Sequence, residues 1–185
     1  MSRQYFQDVT HDAWESAPAS LNTFTAEANL WNPAILTPIP AFDMRAGKIY
    51  RYQFGGICQS ATGINWTFTP RFGQSATPAS NLLLGASAVV PSGGTIPASS
   101  PWYAEFILNV RSIGIAASAA TVVGNGFIAW PTTAILSGQV IPFGGTVVTT
   151  ADATTAQGFA FSVTCGTSSG TNLIQALWCV AQPLN

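Results

Sequence analysis

Charge is what this sequence has least of. Six Lys and Arg stand against seven Asp and Glu, together 7% of 185 residues, where ordinary soluble domains carry about 25%. The cations Arg3, Arg45, Lys48, Arg51, Arg71 and Arg111 are scattered, with only a loose group at 45–51. Nucleic-acid binding runs on clustered cations that displace counterions from phosphates, so a genome-coating role is not expected. Histidine is nearly absent as well: His11 stands alone beside Asp12 and near Ser16. A catalytic triad needs its groups on a rigid frame, which neighbours on a terminal segment do not supply. The cysteines Cys58, Cys165 and Cys179 are odd in number and lack metal-ligand spacing. Each lies in an apolar, strand-like stretch and reads as a small buried hydrophobe rather than half of a disulfide. No apolar run approaches the length of about 18 residues that a membrane span requires. The N-terminal residues have no apolar core of signal-peptide type, so the expectation is synthesis and retention in the cytoplasm. Metal ligands, paired carboxylates and phosphate loops are missing too, and no cofactor is expected.

What is present is apolar: 48% of the residues are hydrophobic, enough for a sizeable core and too many for disorder. With so little charge, the surface is either covered by partners or made of neutral Ser, Thr, Asn and Gln. The length fits one domain plus an arm. Residues 1–20 form the arm, with the acids Asp8, Asp12 and Glu15, the aromatics Tyr5, Phe6 and Trp14, and a Ser-Ala-Pro-Ala-Ser end. Large aromatics gain by burial, so Tyr5, Phe6 and Trp14 are candidate docking anchors.

From residue 21 to 185 the pattern is β. Along 48–56, Tyr50, Tyr52 and Phe54 alternate with Arg51 and Gln53; along 64–72, Ile64, Trp66, Phe68 and Phe72 oppose Asn65, Thr67, Thr69 and Arg71. The clearest strand is 102–113, with Trp102, Ala104, Phe106, Leu108 and Val110 on one face and Tyr103, Glu105, Ile107, Asn109 and Arg111 on the other. A helix would scatter these sets; side chains that alternate across a strand separate them. Further strands are predicted at 121–130, 145–150, 157–165 and 172–181. In these, Phe159, Phe161, Val163 and Cys165 share one face, as do Ile174, Trp178 and Val180. Trp66, Phe68, Phe106, Leu108, Phe161 and Trp178 are the predicted core. Clusters of Gly, Pro, Ser and Thr at 73–80, 87–101, 114–120, 131–142 and 166–171 read as turns. The fold class this implies is all-β: a single antiparallel β-sandwich of about eight strands, jelly-roll in topology, with an immunoglobulin-like sandwich as the alternative.

Few residues offer chemistry. Glu27, Asp43, Glu105 and Asp152 are far apart in sequence, and no enzyme activity is expected. The pairs Gly55-Gly56, Gly93-Gly94 and Gly144-Gly145 precede no helix start, and Gly124-Asn125-Gly126 reads as a bulge or a close backbone approach. The tryptophans read as core and interface, with a sugar-binding platform as the alternative. Glu105 and Arg111, on the polar face of one strand, are candidate contacts to neighbouring strands or to other copies of the chain.

Several segments carry a resemblance. They are Thr37-Pro38-Ile39-Pro40-Ala41-Phe42-Asp43-Met44-Arg45-Ala46-Gly47-Lys48-Ile49-Tyr50-Arg51, Trp66-Thr67-Phe68-Thr69-Pro70-Arg71-Phe72-Gly73, Pro101-Trp102-Tyr103-Ala104-Glu105-Phe106 and Val110-Arg111-Ser112-Ile113-Gly114. In this order they resemble a jelly-roll module of tailed-bacteriophage virion proteins, over roughly residues 21–181. The resemblance implies a virion structural protein assembled in the host cytoplasm. First comes a capsid decoration (cement) protein, a homotrimer on the major capsid protein that stabilises the capsid surface. A head-fibre or tail-tip adhesin binding a host receptor is second, and a single jelly-roll capsid shell protein third. The expected partners are other copies of the chain and the major capsid protein, with neither nucleic acid nor membrane.

Overall fold

The computed structural model describes residues 10–12, 20–31, 39–114, 119–132 and 138–184. Its strands are β1 (Thr10–Asp12), β2 (Leu21–Asn22), β3 (Ala28–Asn29), β4 (Ile49–Ser60), β5 (Asn65–Phe72), β6 (Leu82–Leu83), β7 (Gly85–Ala86), β8 (Ala88–Pro91), β9 (Ile96–Ser112), β10 (Ala120–Pro131), β11 (Gly138–Ala151), β12 (Phe159–Cys165) and β13 (Leu173–Pro183). Among the described residues the only helical element is the 3-10 turn Pro78–Ser80. The larger sheet runs β1-β13-β4-β9-β10-β11-β7, with β2 also on β13; the smaller runs β3-β12-β5-β6, with β8 also on β5. Every pairing is antiparallel. The protein is an all-β sandwich, as the alternation predicts. The early strands β4 and β5 pair with the late strands β13 and β12, a nested winding of the jelly-roll kind. Between them, β9, β10 and β11 follow one another as a meander.

Period-two patterning sets the facing. Tyr50, Tyr52, Phe54 and Cys58 of β4 point inward, as do Trp102, Ala104, Phe106, Leu108 and Val110 of β9. The smaller sheet answers with Trp66, Phe68 and Phe72 of β5 and Phe159, Phe161, Val163 and Cys165 of β12. Rings from the two sheets meet in the middle: Phe106 on Phe159 at 4.5 Å between centroids, Phe54 on Phe161 at 5.0 Å, Phe143 on Phe161 at 5.1 Å. All three cysteines are buried and none is in a disulfide. Burial drives the Cys58 thiol far above its ordinary value, so it stays protonated and inert.

Three predicted features differ. Residues 138–142 continue β11 rather than turning, pairing with Phe127–Pro131 of β10. Pro142 is tolerated there because past it β11 meets only the short β7, at Gly144 and Gly145. Likewise β8 and the first residues of β9 occupy part of 87–101. The irregular composition is absorbed by a register slip, Cys58 facing Ser100 and Ser60 facing Ile96, with Ser99 in the left-handed region at φ 61°. The third correction is Trp178, predicted in the core and found 41% exposed.

The glycines of the meander make room for rings. A Cβ on Gly124 would lie 2.2 Å from the Phe106 ring, and one on Gly126 would lie 2.3 Å from the Glu105 carbonyl oxygen. A bulge at this point shifts the register between Val123 and Asn125. Both readings of Gly124-Asn125-Gly126, bulge and close approach, hold.

Candidate binding face

The outer face of the larger sheet begins with an irregularity in β13. Ala176 faces Gly56 and Trp178 faces Gly55, so Leu177 is an extra residue, a β-bulge. Ile174 and Ala176 point inward before it, and Cys179 points inward after it. Strict alternation would have carried Trp178 into the core with Ile174; the bulge resets the phase and turns it outward. Gly55 then makes the position habitable. A Cβ there would sit 2.7 Å from Cζ2 and 2.9 Å from Cε2 of the Trp178 indole. The ring therefore rests against the β4 backbone. Next to it on β4, a Cβ on Gly56 would come within 1.9 Å of the Gln175 carbonyl oxygen, so this glycine permits the close approach of β13.

From Trp178 a row of rings crosses the sheet. Tyr103, opposite Gly55 on β9, lies 5.9 Å from Trp178, and Phe127 on β10 lies 6.0 Å from Tyr103. Beside the rings is a polar network. Arg51 donates from Nη2 to Glu105 Oε2 at 2.7 Å, Gln53 Nε2 donates to the same oxygen at 3.1 Å and to Tyr103 Oη at 2.8 Å, and Tyr103 Oη donates to Glu105 Oε2 at 2.9 Å. The Arg51 hydrogen bond is the main cause holding the Glu105 carboxyl below its ordinary value; burial opposes it, and Tyr103 and Gln53 add to it. Burial and the bond to Glu105 keep the Tyr103 phenol protonated. Ile107 and Val140 stand exposed on the same face.

Of the sequence-predicted site residues, Glu105 belongs to this network, paired with the adjacent strand. Arg111 is exposed six residues further along β9, about 20 Å away at strand rise, so the two are not brought together. Tyr5, Phe6 and Trp14 lie outside the described residues. The backbone of His11 pairs with Val180, placing this part of the arm on the β13 edge of the larger sheet. The sequence pointed to Glu105 but not to its partner Arg51, nor to the exposure of Trp178. The signal for Trp178 was Gly55-Gly56 inside a strand, where glycine marks a bulge or a close approach.

Outside β1, the remaining described acids are each tied to their own partners. Glu27 accepts both arms of Arg71, at 2.7 and 2.8 Å, and a short hydrogen bond from Ser162. Burial pushes its carboxyl up, and the hydrogen bonds of Arg71 and Ser162, with the Arg71 charge, outweigh that and lower it. Asp43 pairs with Lys48 at 2.5 Å, and Asp152 accepts from Thr154 and Thr155 in its own turn. No group of three or more His, Cys, Asp and Glu converges on a metal-sized site among the described residues. No helix among them is long and apolar enough to cross a membrane.

The class these features define is an antiparallel β-sandwich presenting a half-open aromatic and polar face. No family model, no curated protein and no solved structure matches the chain.

Proposed function

We propose that this chain is a structural protein of a tailed-phage virion, a capsid decoration protein that acts as a homotrimer on the capsid surface and has no catalytic role. The observation that carries this reading is apolar side chains standing in solvent on a chain with so little charge. Away from the ring-bearing face, Leu83 and Val89 are exposed on the short strands β6 and β8, which flank β5 in the smaller sheet. Phe42, in the left-handed region at φ 62°, projects from the loop before β4 and is 68% exposed, its N–H held by the Ala153 carbonyl oxygen at 2.9 Å. Short, uncharged edges and a projecting aromatic suit burial against other copies and a capsid lattice. The jelly-roll-like winding and the strand-and-turn motifs support the same setting.

The test is direct. Light scattering on the purified chain should report a trimer, and mixing with undecorated capsids should give saturable occupancy that falls when Val89 or Phe42 is replaced by Asp. A monomer that leaves capsids bare overturns the reading. The rival role, a head-fibre or tail-tip adhesin, is favoured by one observation, the ring-bearing face of the larger sheet.

A further inference from the structure

We propose that the outer face of the larger sheet is a binding platform for a neutral saccharide chain, with Trp178 and Tyr103 as its stacking surface and Gln53, Glu105 and Arg51 as its hydroxyl-reading groups. This stands independently of where on a particle the protein sits.

The stacking surface is built, not incidental. A bulge and a glycine are both needed to hold the Trp178 indole against the β4 backbone with two-fifths of the residue in solvent. The row continues through Tyr103 to Phe127 at nearly equal spacing, 5.9 and 6.0 Å. An aromatic face is electron-rich and attracts the C–H-bearing face of a sugar ring, while a flat row of rings suits an extended chain rather than a single compact ligand.

The polar groups beside the rings retain unused capacity. All the bonds to Glu105 converge on Oε2, leaving Oε1 without a protein partner among the described residues. Gln53 spends its amide nitrogen and keeps its carbonyl oxygen. Arg51 spends only one terminal nitrogen on Glu105. Sugar hydroxyls donate and accept together, and such a mixed, pre-oriented set of donors and acceptors matches them.

Charge separates this ligand class from others. Arg51 and Glu105 neutralise each other, so the network has no net charge to spend on an anion. A nucleic acid would also stack, but would need a run of cations along its backbone, and the next one along β9 on this face, Arg111, lies about 20 Å from Glu105. Among Glu105, Glu27, Asp43 and Asp152, the same geometry offers no pair for cleavage. Glycosidic hydrolysis uses two carboxyls within about 10 Å of each other, one of them protonated. Glu105 is instead held ionised, and the other described acids outside β1, namely Glu27, Asp43 and Asp152, are engaged elsewhere.

The experiment is affinity electrophoresis of the full chain through gels containing soluble neutral polysaccharides (glucan, mannan, galactan), with an acidic polysaccharide in parallel. Retardation in at least one neutral gel is expected, with about tenfold weaker binding for Trp178→Ala and for Glu105→Gln. Trp178→Phe should retain most of the binding, and Ser168→Ala, in the exposed turn before β13, all of it. Circular dichroism and light scattering on each variant accompany the gels. Absence of retardation in every neutral gel overturns the proposal, as does retardation by the acidic polymer alone. Unchanged retardation of a folded Trp178→Ala protein also overturns it. If Trp178→Ala breaks up the oligomer and the parent chain binds no polysaccharide, the face is a contact between copies and the proposal fails. Capsid occupancy is measured separately, so loss of the decoration role would leave this result standing.

Discussion

Two populations of aromatic rings lie on opposite faces of β4 and β9. Between the sheets, Phe161 is packed among Phe54, Phe68, Phe143, Phe159 and Trp31, and hardly any of these rings meets water. On the outside, Trp178 has Tyr103 as its ring neighbour and the bare backbone of Gly55 beneath it. The inner rings are fixed by one another, and losing one leaves a void. The outer rings are fixed by the sheet and leave a surface free for something else. Residue type alone does not tell the two populations apart; what lies on the second side of each ring does.

The largest test of this difference is a pair of truncations. Phe106→Ala should cost about 3–5 kcal/mol in chemical denaturation, because a fully buried aromatic leaves a cavity. Trp178→Ala should cost about 1–2 kcal/mol, since much of its area is already hydrated. Equal losses would erase the distinction. The adjacent glycines sharpen it. Gly56→Ala places a Cβ against backbone of β13 and should destabilise by about 1–3 kcal/mol or more. Gly55→Ala meets the Trp178 indole most closely, a ring that can swing away, and the Trp102 carbonyl oxygen at 3.0 Å, so stability should fall less. Its mark should instead be a red shift of tryptophan emission as the indole leaves the sheet.

Acid should act on both outer faces of the sandwich and spare the core. Glu105 and Glu27 have folded-state values below the ordinary one, so each adds stability that is fully present above the unfolded value of about 4.3 and is lost as pH falls through the folded value. Thermal midpoints should therefore be flat from pH 7 to about 5 and drop below about pH 4. Glu27→Gln should lower the neutral plateau and shrink that drop. The smallest effect belongs to Arg111→Ala, exposed at the end of β9, with a stability change within about 0.5 kcal/mol.

Where alternation is unbroken, the facing was legible in the sequence. Tyr50, Tyr52 and Phe54, the Trp102-to-Val110 set and the Phe159-to-Cys165 set all point where a period of two places them. It was illegible wherever one extra residue resets the phase, because nothing in Leu177-Trp178 marks which of the two is the insertion. The length of β11 was hidden for a different reason. Gly138 and Pro142 have turn chemistry, yet both pair with β10, and Gly144 pairs with Asn125 while keeping a positive φ of 89°. At the candidate site, Glu105 was visible as a lone acid on a strand, but its partner depended on β4 and β9 meeting in the register that faces Gln53 with Glu105.

The bulge at Leu177 has a consequence for how this molecule can vary. The residues before it and those after it keep their inward set, so the insertion adds surface without disturbing the interior. Leu177 and Trp178, both 41% exposed, lie side by side at a point where the two halves of the strand are already uncoupled in phase. Substitution of Leu177 and Trp178 would therefore change the outer surface of the sheet while the inward set of β13 stays in place.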